Sequence, residues 1–222
     1  MPAYRIVGQT ALLSEKTKEA LSALEIYLDY ETEDAQAWLW KGQALYEAGK
    51  YRDAIMAIDN ALDIASDLPE AHHYRGLAYL ELNEGQSAVN DFLVALRGNT
   101  QSFSHHLNLG RALLAAERYG DARGQFNTCE NLAETDEELA QVYYYRALAS
   151  EGLENRPWAI RDWQALLDLP KESAPQAWLK QAVQQLTPTP SSTTSAASSK
   201  TGTAKPTGTS VRTPTLTPTP KP

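Results

Sequence analysis

Cysteine is nearly missing from this sequence. Cys129 stands alone, which excludes an intrachain disulfide and any multi-cysteine metal knuckle. No apolar run comes near the ~20 residues that a membrane-spanning helix needs. The opening stretch "MPAYRIVGQTALLSEK" has one early base and no apolar core of a signal peptide, so a cytoplasmic location is the expectation. Positive charge is also scarce. Segment 187–222 contains Lys200, Lys205, Arg212 and Lys221 and no acid, which leaves 16 basic and 28 acidic side chains, a net of −12, in the rest. A body of that sign repels phosphate backbones, and no nucleic-acid partner is expected. There is no phosphate-binding glycine loop and no Ser/His/Asp set in a strand–turn–helix context. Neither an enzyme nor a cofactor is therefore expected.

What the chain does have is apolar residues, 42% of 222, in a strict rhythm. Gly8, Gly42, Gly76 and Gly110 follow one another at intervals of 34. Twelve residues after each glycine comes an alanine: Ala20, Ala54, Ala88 and Ala122. Four further on stands a large apolar residue: Leu24, Ile58, Phe92 and Phe126. A fifth copy follows as Ala147, Ala159 and Trp163, shifted by three residues, with "ETDEELAQ" as the place of a longer turn or an extra helical turn. A glycine inside a helical stretch such as "DAQAWLWKGQALYEAGKYRDAI" costs roughly 1 kcal/mol against alanine. Apolar residues continue at helical spacing beyond each glycine, as in "GLAYLEL", so these are not helix stops. A recurring period of this length implies stacked helical units.

At this point the chain resembles the tetratricopeptide repeat family. In the second copy Trp38, Gly42, Tyr51, Ala54, Ile58, Ala61 and Leu62 fall on the signature positions 4, 8, 17, 20, 24, 27 and 28, and Tyr119 repeats position 17 in the fourth. Position 32, often proline in the family, is Thr32, Ser66, Thr100 and Glu134. The resemblance implies an all-α, right-handed α-solenoid of five helix hairpins, at 1–34, 35–68, 69–102, 103–136 and 140–173. Each hairpin has a helix A and a helix B. The glycine at position 8 and the alanine at position 20 let the two cross closely.

The flanks of these units fit. Asp34, Ser102 and Asp136 are candidate N-caps, and Pro69 suits a first helical turn. "KESAPQAWLKQAVQQL" reads as a terminal capping helix over 174–186, capped by Ser173, with Trp178, Leu179, Ala182 and Leu186 on one face. Segment 187–222, with 12 Thr, 7 Pro and 6 Ser in 36 residues, has almost nothing to bury and is expected to be disordered. It serves either as a plain solvated terminus or as a glycan-bearing spacer. Its likeness to spacers of bacterial envelope proteins keeps a cell-envelope or extracellular location open.

In the family, helix A lines a concave groove. Carried over copy by copy, groove position 5 is Arg5, Leu39, His73, Leu107 and Tyr144. Position 9 is Gln9, Gln43, Leu77, Arg111 and Leu148, and position 12 is Leu12, Tyr46, Leu80, Leu114 and Glu151. The resemblance implies a non-catalytic interaction scaffold that holds a peptide or helix of another protein. The alternative is one module of a larger envelope or secreted protein, with the tail as spacer. Homo-oligomerisation stays open. One subgroup of the family grips a partner's C-terminal carboxylate with Lys and Asn at positions 5 and 9. Here the pairs are Arg5/Gln9, Leu39/Gln43, His73/Leu77 and Leu107/Arg111, so that clamp is absent. His72 and His106 share position 4 and could stack in neighbouring repeats, but two histidines do not make the three or four ligands of a closed zinc site. No metal is expected. Cys129, at position 27, should pack as a small buried residue. Trp38 and Trp163 should be core, and Trp40 partly exposed on the packing side.

Overall fold

The computed structural model describes residues 2–97 and 101–187. Within them the chain forms α1 (Pro2–Leu13), α2 (Thr17–Leu28), α3 (Ala35–Glu47), α4 (Tyr51–Ile64), α5 (Pro69–Glu81), α6 (Gly85–Leu96), α7 (Phe103–Ala115), α8 (Tyr119–Leu132), α9 (Asp136–Gly152), α10 (Arg156–Asp168) and α11 (Gln176–Leu186), with a 3₁₀ turn at Lys171–Ser173. No strand occurs among the described residues. The expected disorder of segment 187–222 falls, apart from Thr187, outside them.

Consecutive helices pair as hairpins, α1 with α2 through α9 with α10, and each even helix also packs on the next odd one. Odd helices touch their odd neighbours along the whole array. They form the inner layer of an α-solenoid, and the even helices form the outer one.

Each hairpin turns in the same three residues. The last turn of helix A closes in a Schellman motif: Lys50 N–H bonds Leu45 C=O at 2.9 Å, and Arg118 N–H bonds Leu113 C=O at 2.8 Å, with equivalents at Lys16, Glu84 and Asn155. The residue before each of these is left-handed, with φ of 56° at Glu15, 73° at Gly49, 59° at Asn83, 58° at Glu117 and 55° at Glu154. The residue that ends the motif is at once the N-cap of helix B.

The repeated glycines seat a side chain. A Cβ on Gly8, Gly42, Gly76 or Gly110 would stand 2.6, 2.4, 2.9 and 2.5 Å from Leu24, Ile58, Phe92 and Phe126 respectively. All four of those side chains are fully buried, as are the five alanines at position 20. The sequence points to backbones in close approach; the structure shows that the contact is mainly with the side chain at position 24. Burying such a side chain is worth ~1.5–3 kcal/mol, more than the ~1 kcal/mol of helix propensity that glycine forgoes. In the fifth hairpin Ala147 takes the glycine's place under Trp163, and both are fully buried.

Three capping details differ from or refine the sequence reading. Asp34 and Ser102 do accept from Ala37 N–H and His105 N–H. Helix α9, however, is capped by Thr135 instead of Asp136, because its three-residue connection starts it earlier and spends the insertion as an extra turn at its N-terminus: it has 17 residues where α3, α5 and α7 have 13. Ser173 ends the 3₁₀ turn and is buried, so it does not cap α11, which begins after Pro175.

The outer seam alternates. In the third hairpin Arg75 bonds both oxygens of Asp91 at 2.8 Å and reaches Asp59 of the preceding hairpin at 2.6 Å. The fifth repeats this pattern: Arg146 bonds Asp162 at 2.8–3.1 Å and Asn127 at 3.0 Å, and also pairs with Glu130. In the second and fourth hairpins the equivalent positions are Lys41/Ala57 and Leu109/Gln125. There the seam is left as clefts of about 280 and 380 Å³.

Candidate functional site

The odd helices of the inner layer carry the positions expected to line a ligand groove. Of the residues expected to face it, Leu39 and Leu107 do not: they are 1% and 6% exposed and belong to the core. Leu39 packs with Ile58, Ala61 and Ala71, and Leu107 lies in the large cluster around Phe92 and Phe126. Leu12 is likewise buried. Position 5 of a hairpin here points partly under the neighbouring helix A, so an apolar side chain at that position is swallowed.

Gln9, Gln43, Tyr46, His73, Leu77, Leu80, Arg111, Leu114, Tyr144 and Leu148 are half-buried, each with part of its side chain toward solvent. Arg5 is also half-buried, but it is engaged: its Nε bonds Asp34 Oδ2 at 2.6 Å and its guanidinium lies 4.8 Å from the Trp40 ring centre. Burial pushes the Asp34 carboxyl up, yet Arg5, the Ala37 N–H and the Tyr27 hydroxyl outweigh it and hold the group below the ordinary carboxylate range. Trp40 is thus half-covered by Arg5. Trp163 is core, whereas Trp38 is half-buried and donates to Thr32 C=O at 2.8 Å.

The surface is more aromatic than the carried-over positions suggest. Tyr46 meets Tyr74 edge-on at 6.2 Å, Tyr74 meets His73 at 5.7 Å, and His73 meets His105 at 4.8 Å. Further along, Arg111 lies 5.6 Å from the Tyr145 ring and hydrogen-bonds Asn108. Tyr144 does not end the groove openly. Trp178 of α11 stacks on it at 4.2 Å, nearly parallel, and Tyr144 OH bonds Gln181 Oε1 at 3.1 Å. Tyr74, His105, Tyr145 and Trp178 were missed by position counting. The adjacent aromatics "HHY" and "YYY" in α5 and α9 were the available signal.

Burial, with His105 next to it, lowers the His73 imidazole to about 4. Burial, and then His106, lower His105 as well. Both rings are neutral at pH 7. His73 Nδ1 is buried and has no hydrogen-bond partner among the described residues. His72 and His106 do not stack as their shared position suggests: His72 bonds Asp91 at 2.8 Å and His106 bonds Gln125 at 2.8 Å. Among the described residues no group of three or more His, Cys, Asp or Glu side chains could hold a metal. Cys129 is fully buried, and burial pushes its thiol up to about 12, so it is unreactive at neutral pH. No described helix is long and apolar enough to cross a membrane.

The tetratricopeptide repeat profile matches residues 8–69 and 73–128. The chain belongs to the tetratricopeptide repeat family. Among curated proteins it is 31% identical over 110 residues to the protein FlbA of Caulobacter vibrioides, covering 48% of this chain and 18% of that one. It is 32% identical over 107 residues to a DnaJ protein P58IPK homolog of Arabidopsis thaliana, covering 47% and 21%. The matches thus span about a fifth of the length of these relatives. Among solved structures, MamA MSR-1 superposes with a TM-score of 0.70 at 22% identity, over 77% of this chain and 97% of that one. YrrB, described as a tetratricopeptide protein with an unusual peptide-binding site, superposes with a TM-score of 0.72 at 16% identity, over 82% and 90%. At such identities the likeness is one of fold, and it establishes this member of the family as an α-solenoid.

Proposed function

We propose that the inner face of the solenoid is a non-catalytic docking groove for an extended or helical segment of another protein. The observation that carries this reading is the row of partly exposed apolar and aromatic groups along α3, α5 and α7: Tyr46, Tyr74, His73, Leu77, Leu80 and Leu114. Apolar side chains lining a concave face with a few polar groups among them are the usual makeup of a docking groove. Arg111 and Gln43 supply hydrogen-bonding groups that orient a backbone or a carboxylate, while the apolar side chains take anchors. The peptide-binding site of the fold neighbour YrrB supports the reading.

A peptide array probed with the full chain tests it. Leu77→Glu and Tyr74→Ala should each weaken binding at least tenfold with unchanged far-ultraviolet circular dichroism, while Met56→Glu, on the outer layer, should not. Equal weakening by Met56→Glu, or none by the inner variants, overturns the groove. Leu39 and Leu107 are unsuited to this test, since a charge there would attack the core.

A further inference from the structure

The end of the array at α1 is built to be covered. In the second to fifth hairpins, positions 3 and 10 of helix A pack on the preceding hairpin. Ala37, Ala44, Ala71, Ala78, Ala112, Val142 and Ala149 occupy seven of those eight places, each 0% exposed. Ala37 sits against Leu24, Tyr27 and Leu28, and Ala44 against Leu12 and Ala20. In α1 the same two positions are Ala3 and Thr10, and both are exposed. Between them Ile6 is 58% exposed and Val7 48%, with Tyr4 at 42% beside them.

Two further observations select an occupant. The exposed side of α1 carries no charge. Its one ionised residue, Arg5, is turned to Asp34, so the face shows the charge depletion of an interface centre. The opposite end of the array is different. There α11 already covers the fifth hairpin with Trp178, Leu179 and Ala182, and outward it presents Lys180, Gln184 and one large apolar side chain, Val183, 51% exposed. A head-to-tail stack therefore meets a smaller and more polar face there than a second α1 offers with Tyr4, Ile6 and Val7. Two α1 faces, by contrast, can meet about a two-fold axis, which makes a closed interface. Elsewhere the body is strongly acidic, and two copies meeting through the uncharged side of α1 bring no carboxylates together at the centre of the contact.

We propose that the chain self-associates as a two-fold dimer through the α1 face, continuing across molecules the hairpin-to-hairpin interface that it repeats within itself. The two inner grooves are then carried by one particle, and a partner with two copies of the recognised segment binds it by effective concentration.

Light scattering on the full chain across a concentration series tests the pairing. The mass should rise from 24.5 kDa toward twice that value. Ile6→Glu with Val7→Glu should hold it at the monomer, with circular dichroism and Tm unchanged, because both side chains are exposed. Cysteine scanning gives an independent reading, since Cys129 is buried and unreactive. Among Ala3→Cys, Ile6→Cys, Val7→Cys and Thr10→Cys, at least one should yield a covalent dimer under mild oxidation, while Met56→Cys on the outer layer yields none. A wild-type chain that remains a monomer at every concentration overturns the proposal. So does a dimer that survives the double substitution, which would place the contact elsewhere.

Discussion

Arg146 and Asp162 face each other inside the fifth hairpin, 5% and 1% exposed, with the guanidinium bonding both carboxylate oxygens. Burial opposes the arginine's charge, but Glu130 and Asp162 overcome it and raise its pKa further. Removing Asp162 takes away the buried partner and leaves the buried guanidinium only Glu130 and Asn127, both more exposed. Asp162→Ala should lower stability by about 2–4 kcal/mol, whereas replacing both with Arg146→Met and Asp162→Leu should cost less. Urea unfolding of the two variants gives the comparison; equal losses would show that the pair itself, and not the under-paired charge, sets the cost.

Two glycines on neighbouring helices should respond with opposite signs. Gly110→Ala brings a Cβ to 2.5 Å from the Phe126 ring, and overpacking of that kind costs about 1–3 kcal/mol. Gly124, in the middle of α8, has no atom within 4 Å of its would-be Cβ, so Gly124→Ala should gain about 0.5–1 kcal/mol from helix propensity. Thermal unfolding reads both shifts, and a stabilising Gly110→Ala would contradict the seat ascribed to position 8.

The left-handed junctions offer a second backbone test. Glu117 pays for φ 58° with a Cβ. Glu117→Gly should stabilise the fourth hairpin by up to about 1 kcal/mol, and Gly49→Ala should destabilise the second by a similar amount. Denaturant midpoints for the two single variants, measured with unchanged m-values, decide the matter.

His73 makes stability depend on pH. Its folded pKa of about 4 lies below the unfolded value near 6.5. Between those values the unfolded chain binds a proton that the folded chain does not. Stability should therefore be full above pH 6.5 and fall as the pH drops toward 4, by up to about 3 kcal/mol. His73→Phe should flatten the profile over that window. Tm measured at half-unit steps shows whether it does.

The hairpins were legible in the sequence because their contacts recur. A glycine under a large side chain, with an alanine twelve residues later, is a local rule that any single copy reveals and four confirm. The inner surface was only partly legible. Leu39 and Leu107 share a register with His73 and Tyr144, and only the packing of neighbouring inner helices decides that the leucines are core. Trp178 over Tyr144 joins residues far apart in sequence, with no periodic signal. The outer arginines were hidden for the opposite reason. Arg75 with Asp91, and Arg146 with Asp162, recur at a separation of sixteen, but only in alternate copies, so a consensus reading averages them away. The α9 extra turn was foreseen as one of two options; its cap was not, because Thr135 and Asp136 are both competent and the helix length chooses.

The three-residue junction shared by every hairpin has a consequence for how such a chain can change length. One residue both closes helix A and opens helix B, so an insertion there would rotate helix B by about 100° and swing the side chain at position 24 off its glycine. The connections between hairpins carry no such double duty: they already vary from three residues before α9 to six before α3, and the extra turn of α9 was absorbed beside one of them. Insertions and deletions in relatives, or loops grafted by design, should accumulate at those outer connections and be purged from the inner ones.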